Sequence, residues 1–315
     1  MKAVCIYGWN RPPVIEDMAA PTRVGARTIV RMAAATVGHI DRTIWSGRFL
    51  KHPPLPYVPG VEAAGVVLES DRFEVGQRVW VRGCGLGMLS NGTWCELIDA
   101  PDEALGLLPD NVSMSLGSAF FSPCTSAWIA LHDVARLKSG EHLLVTGATG
   151  AVGALTVQLA LELGAKVTAV VSSESATQPE GVACVVIDAA TPADFEALAV
   201  DALIDTVGGP LLASALAGVA AGGRAVLVGY TSGNELTIDL PYFLQRDVSL
   251  LPLNMFRREA AGRTQAPALL ARLGDGRLRL DVKAFSLSDA AQALEWITLR
   301  GHRGRAVLVP DRQTA

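Results

Sequence analysis

The sequence predicts an α/β protein in which a β-rich segment precedes a doubly wound parallel sheet. Residues 142–164 read as strand, glycine turn and helix. From about residue 116 onward, helical and strand patterns alternate, as they do when helices cover a parallel sheet. Before that point short strands are separated by Gly, Pro, Asn and Asp, the texture of a barrel or compact antiparallel domain.

The chain has 315 residues, enough for two domains, and half of them are hydrophobic, so a sizeable core is available. Lys plus Arg number 27 against 31 Asp plus Glu, a formal net charge of −4 with no long run of either sign, which argues against a nucleic-acid partner. Met1 to Tyr7 goes straight into a strand-like segment broken by Gly8, too short for a signal peptide. No apolar run is long enough to span a bilayer, so no membrane partner is expected. Cys5, Cys84, Cys95, Cys124 and Cys184 form no C-x-x-C pair, and an odd, dispersed set fits reduced thiols in a cytoplasmic protein.

In order, strands are expected at 4–7, 28–33, 63–68, 78–81 and 93–98. The proline-rich piece from His52 to Gly60 must be an extended connector, because proline removes donors and bars helix. A helix is expected over 126–137. Leu143 to Thr146 then form a short run suited to a strand buried on both faces. Gly147, Gly150 and Gly153 follow at intervals of three. Val152, Leu155, Leu159 and Leu163 recur at helical spacing, and Gly164 supplies the left-handed stop.

Further strands are expected at 166–171, 184–188, 202–205, 224–229 and 249–254, with helices at 192–199 and 210–221. The stretch between Val171 and Cys184, broken by Pro179, leaves room for only an abbreviated crossover. A helix over 288–299 and a strand over 305–309 close the chain. That last strand most economically returns to complete the N-terminal domain. The domains are therefore 1–115 with 255–315, and 116–254.

A turn without side chains lets phosphate approach the backbone, and the helix it opens offers unpaired N–H groups. Gly-x-x-Gly-x-x-Gly is one residue longer than the commoner Gly-x-Gly-x-x-Gly. By itself the triplet is equally consistent with a structural turn.

Several motifs fall in one order: Pro59-Gly60-Val61-Glu62-Ala63-Ala64-Gly65-Val66-Val67, Gly76-Gln77-Arg78-Val79, Gly92-Thr93-Trp94-Cys95-Glu96, the helix start Ser126-Ala127-Trp128, the glycine turn, and Gly304-Arg305-Ala306-Val307-Leu308. The set resembles the medium-chain dehydrogenase/reductase superfamily and, within it, the zinc-independent quinone oxidoreductase branch related to zeta-crystallin. The resemblance implies a GroES-like catalytic domain built from both chain ends around a central Rossmann domain, with the active site in the cleft between them.

Zinc enzymes of that superfamily place ligands at positions that correspond here to Gly38, Val61 and Ser122, none of which is a good zinc ligand. Cys124 stands two residues from the last slot, and the four-cysteine structural loop is missing. No metal is therefore expected. The implied chemistry is hydride transfer from a nicotinamide to a quinone or to an alkene conjugated with a carbonyl, polarised by hydrogen bonds or water. His39 and Asp41 flank the lost ligand and are the candidate polarising groups. For His39 a hydrogen-bonded core or pyrophosphate-contacting role is equally open. The branch often carries Asn at the position of Gly38 and tyrosines nearby, where this chain has Trp45 and Phe49, so no proton donor is named.

Cofactor contacts are expected from Gly147, Ala148, Thr149, Gly150, Ala151, Val152 and Gly153, and from Ser126 by the resemblance. The second Rossmann strand ends in Ser172-Ser173 rather than an acidic residue. Small hydroxyls leave room for a 2′-phosphate, so NADPH is preferred, with NADH possible because Glu174 follows and the Lys that relatives often carry is missing. Thr206, Val207 and Gly208, then Gly229, Tyr230 and Thr231, end two strands that the resemblance puts beside the nicotinamide ribose. Asn254 and Phe256 end a sixth. The apolar run Ser249 to Leu253 suggests a homodimer formed by pairing sixth strands.

Two other readings are weighed. A short-chain dehydrogenase fails, since none of Tyr7, Tyr57, Tyr230 and Tyr242 has Lys four residues on. A dinucleotide-binding redox sensor or structural protein with little turnover stays open, because the usual polarising residues near Gly38 are gone.

Overall fold

The computed structural model describes residues 1–49, 51–172, 178–179, 181–187, 195–299 and 302–311. Contacts divide the chain into two compact units, Met1–Phe121 with Leu270–Ala315, and Ser122–Leu269. The first unit opens with strands β1 (Lys2–Cys5), β2 (Val14–Asp17) and β3 (Arg27–Val37), then helix α1 (His39–Trp45). Strands β4 (Glu62–Glu69), β5 (Arg78–Arg82), β6 (Leu97–Pro101) and β7 (Leu105–Leu107) and helix α2 (Met114–Ala119) follow. Helix α3 (Phe121–Ile129) leads into the second unit: β8 (His142–Val145), α4 (Ala151–Glu162), β9 (Lys166–Val171), β10 (Ala183–Val186), β11 (Val200–Asp205), α5 (Gly209–Leu216), β12 (Val219–Leu227), α6 (Leu240–Arg246) and β13 (Ser249–Pro252). The unit boundary falls within α7 (Glu259–Gly274), and β14 (Val282–Ser286), α8 (Ala290–Trp296) and β15 (Arg305–Val309) belong to the first unit.

In the first unit the main sheet runs β14-β15-β3-β4-β5-β7, with β6 adding to β3, beside the antiparallel pair β1 and β2. Strand β3 is its spine. The terminal strand pairs antiparallel to it, with Ala306 opposite Val37 and Leu308 opposite Ala35. Gly65 is required where β4 crosses β3, since a Cβ there would stand 2.2 Å from the Arg31 carbonyl oxygen. Val30, Met32, Val67, Val79, Trp94 and Leu308 fill the core, and the Trp94 indole donates to the Thr36 carbonyl at 2.9 Å.

In the second unit six parallel strands run in the order β10-β9-β8-β11-β12-β13. Strand β8 is central, and Leu143, Leu144 and Val145 have no exposed surface, which is why their run is apolar without alternation. Helix α4 buries Leu155 and Leu159 and ends at Glu162 with Leu163 as its C-cap, followed by Gly164 at φ +82°. The architecture is α/β, a β-rich unit and a second unit built on a six-stranded parallel sheet.

Several element bounds differ from the sequence reading. The helix expected over 126–137 begins at Phe121, because Pro123 in a first turn costs no hydrogen bond. It then passes into a π-helical turn, Ala130–Ala135, stopped by left-handed Arg136. The helix expected to reach 221 stops at Leu216, and β12 starts at Val219 because that side chain is fully buried opposite Val200. The strand expected over 93–98 is displaced to Leu97–Pro101, since Thr93 and Trp94 bond instead to the Gly60 and Pro59 carbonyls. The helix expected over 288–299 is α8, preceded by a 3-10 turn at Leu287–Asp289. Of the helix expected over 192–199, only a 3-10 turn at Glu196–Leu198 lies within the described residues, and most of the abbreviated crossover lies outside them. Among the described residues no helix is long and apolar enough to cross a membrane.

Candidate functional site

In the second unit the glycine turn stands at the C-terminal end of β8. Gly147 takes φ +62°, and a Cβ on it would meet Thr206 Oγ1 at 2.4 Å. The Gly150 N–H donates to the Gly147 carbonyl at 2.9 Å and closes the turn. Gly150 then caps α4 with no side-chain oxygen, so Ala151, Val152 and Gly153 present helix-terminal N–H groups that no cap satisfies. A Cβ on Gly153 would stand 2.2 Å from the Gly147 carbonyl oxygen, so only glycine lets the helix start this close to the turn. The Ala148 N–H donates to Val170 at 3.3 Å, tying the turn to the end of β9.

The next strand ends are locked to the same place. Thr146 Oγ1 donates to Asp205 Oδ1 at 2.5 Å, and the other Asp205 oxygen accepts from the Gly208 N–H at 2.8 Å. Thr206 N–H donates to Thr146 Oγ1 and its hydroxyl to the Thr146 carbonyl. Burial pushes the Asp205 carboxyl up, against the pull of Thr146 and of the Gly208 and Val207 amides. A Cβ on Gly229 would meet the Thr206 carbonyl at 2.2 Å. The structure thus gathers residues 147–153, Thr206, Val207, Gly208 and Gly229 at the C-terminal edges of β8, β11 and β12. Ser172 is exposed at the end of β9, whereas Ser173 lies outside the described residues. Tyr230, Thr231, Asn254 and Phe256 are exposed beyond their strands, and Ser126 is buried within α3. Asn254 accepts from the Arg257 N–H, which shapes the loop after β13.

In the first unit, Gly38 caps α1. Asp41, 1% exposed, accepts from the Gly38 N–H at 2.8 Å with one oxygen and from the Val61 N–H at 3.1 Å with the other. Both carboxylate oxygens are therefore engaged in holding backbone, at residues 38 and 61. Burial pushes its carboxyl up to about 7, opposed chiefly by the Gly38 amide and Arg305. A raised folded-state value means that the stability Asp41 contributes is complete below the ordinary 3.8 and is lost as pH rises through about 7. Urea titrations across that window check it: the stability gap between the wild type and Asp41→Asn should shrink as pH rises.

His39 is exposed on α1, and its imidazole makes no hydrogen bond among the described residues. Crowding of the ring by protein, together with His302, Arg305 and Arg42, pushes it down to about 4, so it is neutral at pH 7.

The sequence reading missed a buried ionic group beside these residues. Glu62 opens β4 opposite Arg82, and its oxygens lie 3.4 Å from Arg82 Nε and 3.2 Å from Arg305 Nη2. The three side chains are 2%, 13% and 9% exposed. A Cβ on Gly38 would stand 2.8 Å from Arg305 Nη2, so the guanidinium fills the space that a larger residue at Gly38 would claim. Glu62 and Arg305 both fall in quoted motifs, so a signal was present, but their pairing from opposite ends of the chain was not legible locally. Tyr57, 2% exposed, belongs to the same neighbourhood, since the Asp41 charge raises its hydroxyl after burial itself.

These features coincide with what comparison finds. The family described as "Alcohol dehydrogenase GroES-like domain" matches residues 26–110, and the one described as "Zinc-binding dehydrogenase" matches residues 151–272. The chain belongs to the medium-chain dehydrogenase/reductase superfamily. Among the proteins it is similar to are quinone oxidoreductases. That of Mus musculus is 31% identical over 182 residues, 55% of this chain and 53% of the relative, so the chain spans about half the length of such curated relatives. The Pseudomonas syringae pv. Tomato DC3000 quinone oxidoreductase is 25% identical with a TM-score of 0.86, covering 98% of this chain and 99% of that one. The quinone oxidoreductase from Thermus thermophilus, solved also in complex with NADPH, is 27% identical with a TM-score of 0.82, covering 98% and 100%.

The second family description implies zinc, and the residues here do not fit it. Gly38 and Val61 carry no ligand atom, Arg305 brings a positive charge to Gly38, and among the described residues no cluster of three or more His, Cys, Asp or Glu could hold a metal ion. The dinucleotide does fit: glycines 147, 150 and 153 leave backbone bare at a helix N-terminus.

Proposed function

We propose that this protein is a zinc-independent oxidoreductase that uses NADPH to deliver hydride to a quinone or to an alkene conjugated with a carbonyl. The observation that carries this reading is the glycine turn, locked to the ends of β11 and β12 and opening α4 without a side-chain cap. When bound, the reduced dinucleotide supplies hydride. The N–H groups of Ala151, Val152 and Gly153 would take the pyrophosphate charge. Ser172, exposed at the end of β9, would donate to a 2′-phosphate, which favours NADPH over NADH. Asp205, through Thr146 and Gly208, keeps the neighbouring strand ends rigid. A buried guanidinium at Gly38 favours electron-rich oxygen in its neighbourhood without a metal.

The test is to mix the protein with NADPH or NADH and a panel of quinones, enals and enones, and to follow absorbance of the reduced nicotinamide. Consumption on a member of the panel, faster with NADPH and insensitive to chelator, is expected. The engagement of both Asp41 oxygens favours a second reading, a dinucleotide-binding redox sensor. Tight NADPH binding without consumption on any acceptor would select it.

Strand β13 is an edge of its sheet, and a homodimer pairing two such edges is the proposed assembly. Sedimentation at micromolar protein should show the dimer, and monomer alone would remove it. The cysteines are dispersed along the sequence with no C-x-x-C pair, which supports a reducing, cytoplasmic setting.

A further inference from the structure

Asp205 is the last residue of β11 and the point at which three strand ends meet. Its carbonyl accepts from the Val228 N–H at 2.8 Å and the Gly229 N–H at 3.3 Å, which ties it to the end of β12. Its side chain, with no exposed surface, reaches the other way: Oδ1 accepts from the Thr146 hydroxyl, beside the glycine turn, and Oδ2 from the Gly208 N–H in its own loop. Gly208 takes φ +73°, and a Cβ on it would stand 2.7 Å from the Gly233 carbonyl oxygen and 2.8 Å from the Tyr230 Cα, so this loop is pressed against the one after β12. The Ser232 N–H donates to the Val207 carbonyl at 2.9 Å and closes that contact. A Cβ on Gly147 would stand 2.7 Å from Val207 Cγ2, so the same loop also lies against the glycine turn.

This arrangement needs a carboxylate rather than an amide or an acid. Thr146, also without exposed surface, has one proton to give, and its oxygen already accepts from the Thr206 N–H at 3.1 Å. It therefore gives that proton to Asp205, and Gly208 needs a second acceptor. Only the ionised group offers two oxygens and no donor. Once protonated, or replaced by Asn, the side chain turns one acceptor into a donor. Either the Gly208 N–H or the Thr146 O–H then loses its partner where water does not reach. Burial raises the Asp205 carboxyl, whereas the Thr146 hydroxyl and the Gly208 and Val207 amides draw it down; among the described residues no charged side chain of β8, β12 or α5 is one of the causes. Asp205 therefore takes up its proton above the ordinary carboxylate range.

We propose that Asp205 is a positioning residue for the dinucleotide: ionised, it holds the ends of β8 and β11 in the arrangement that receives the ligand, and protonated it releases them. This rests on the dinucleotide reading and adds regulation to that site, an affinity that falls as pH drops through the Asp205 titration. Asp205 is fully buried, so it acts through Thr146 and Gly208 rather than by touching the ligand.

The experiment is calorimetric titration of the full chain with NADP⁺, which survives acid, at intervals from about pH 8 to about pH 5. The proteins are wild type, Asp205→Asn, Thr146→Val and Thr146→Ser. The 2′-phosphate titrates alike with each of them, so the ratio of a variant's affinity to that of wild type reports the protein alone. At the alkaline end Asp205→Asn should bind about tenfold more weakly than wild type. The gap should close as pH falls, because the wild type then carries a neutral group as well. A deficit that is constant with pH belongs to a purely structural role and overturns the proposal, as does wild-type affinity in Asp205→Asn at the alkaline end. If Asp205→Asn does not fold, the Thr146 variants decide. Thr146→Val should lose about tenfold and Thr146→Ser, which keeps the hydroxyl, should not; equal affinity in the two overturns the proposal. The two ideas fail separately: a wild type that does not bind NADP⁺ sinks the dinucleotide reading and this proposal with it, whereas wild-type binding that Asp205→Asn and Thr146→Val leave unchanged sinks the Asp205 assignment alone.

Discussion

Glu62→Gln is expected to destabilise the first unit by about 3 kcal/mol, the scale of removing one partner from a buried ion pair. The side chain barely changes size, so packing is not the cause. The wild-type carboxylate answers two guanidiniums, Arg82 and Arg305, that are 13% and 9% exposed. An amide leaves both with a dipole in place of a charge, in surroundings where water cannot compensate. Asp41 limits the loss, since Arg305 already draws its carboxyl down and Glu62 holds it up. Removing Glu62 therefore favours ionised Asp41, which recovers part of the missing negative charge. Two measurements check this. Urea unfolding should show the loss, and the pH dependence assigned to Asp41 should move to lower pH in the variant. A loss under about 1 kcal/mol would mean that the pair is as screened as a surface one.

Gly153→Ala is expected to cost about 1–3 kcal/mol of stability and to abolish measurable NADPH binding, whereas Gly150→Ala should leave stability nearly unchanged. The contrast follows from what each new methyl meets. At position 153 it would stand 2.2 Å from the Gly147 carbonyl oxygen, 2.7 Å from the Gly147 carbonyl carbon and 2.9 Å from the Ala148 Cα, all backbone with nowhere to move. At position 150 its nearest neighbour is the Gly147 oxygen at 3.3 Å, and φ is −73°, open to any residue. A methyl at 150 therefore acts on the ligand alone. Thermal unfolding and fluorescence titration with NADPH separate the two effects. Equal stability in the two variants would show that the turn opens freely, and intact binding in Gly153→Ala would take the pyrophosphate away from α4.

The glycine turn of the second unit was legible because its signals are local. Gly147, Gly150 and Gly153, the buried run before them and the stripe after them lie within about 20 consecutive residues, and period and turn chemistry act at that range. Thr206, Val207, Gly208 and Gly229 could be placed because strand ends converge in an alternating sheet. The candidate residues of the first unit were not. His39 and Asp41 were picked for standing beside Gly38, and neither assignment could foresee that both Asp41 oxygens would be taken by backbone N–H groups from residues 38 and 61. Element bounds slipped where tertiary burial overrode local preference, as at Val219, and where a π-helical turn replaced the expected helix after Ile129.

By itself, the sequence determined the α/β class, the glycine turn with its helix, and the loss of metal-ligating side chains at Gly38 and Val61, because those depend on which residues stand at neighbouring or motif-defined positions. Only the tertiary structure decided what stands at Gly38 instead. Arg305 reaches it because β15 pairs with β3, and Glu62 holds the guanidinium there from the start of β4. Charge pairing depends on distance in space, which chain distance does not set once a sheet has brought remote strands together.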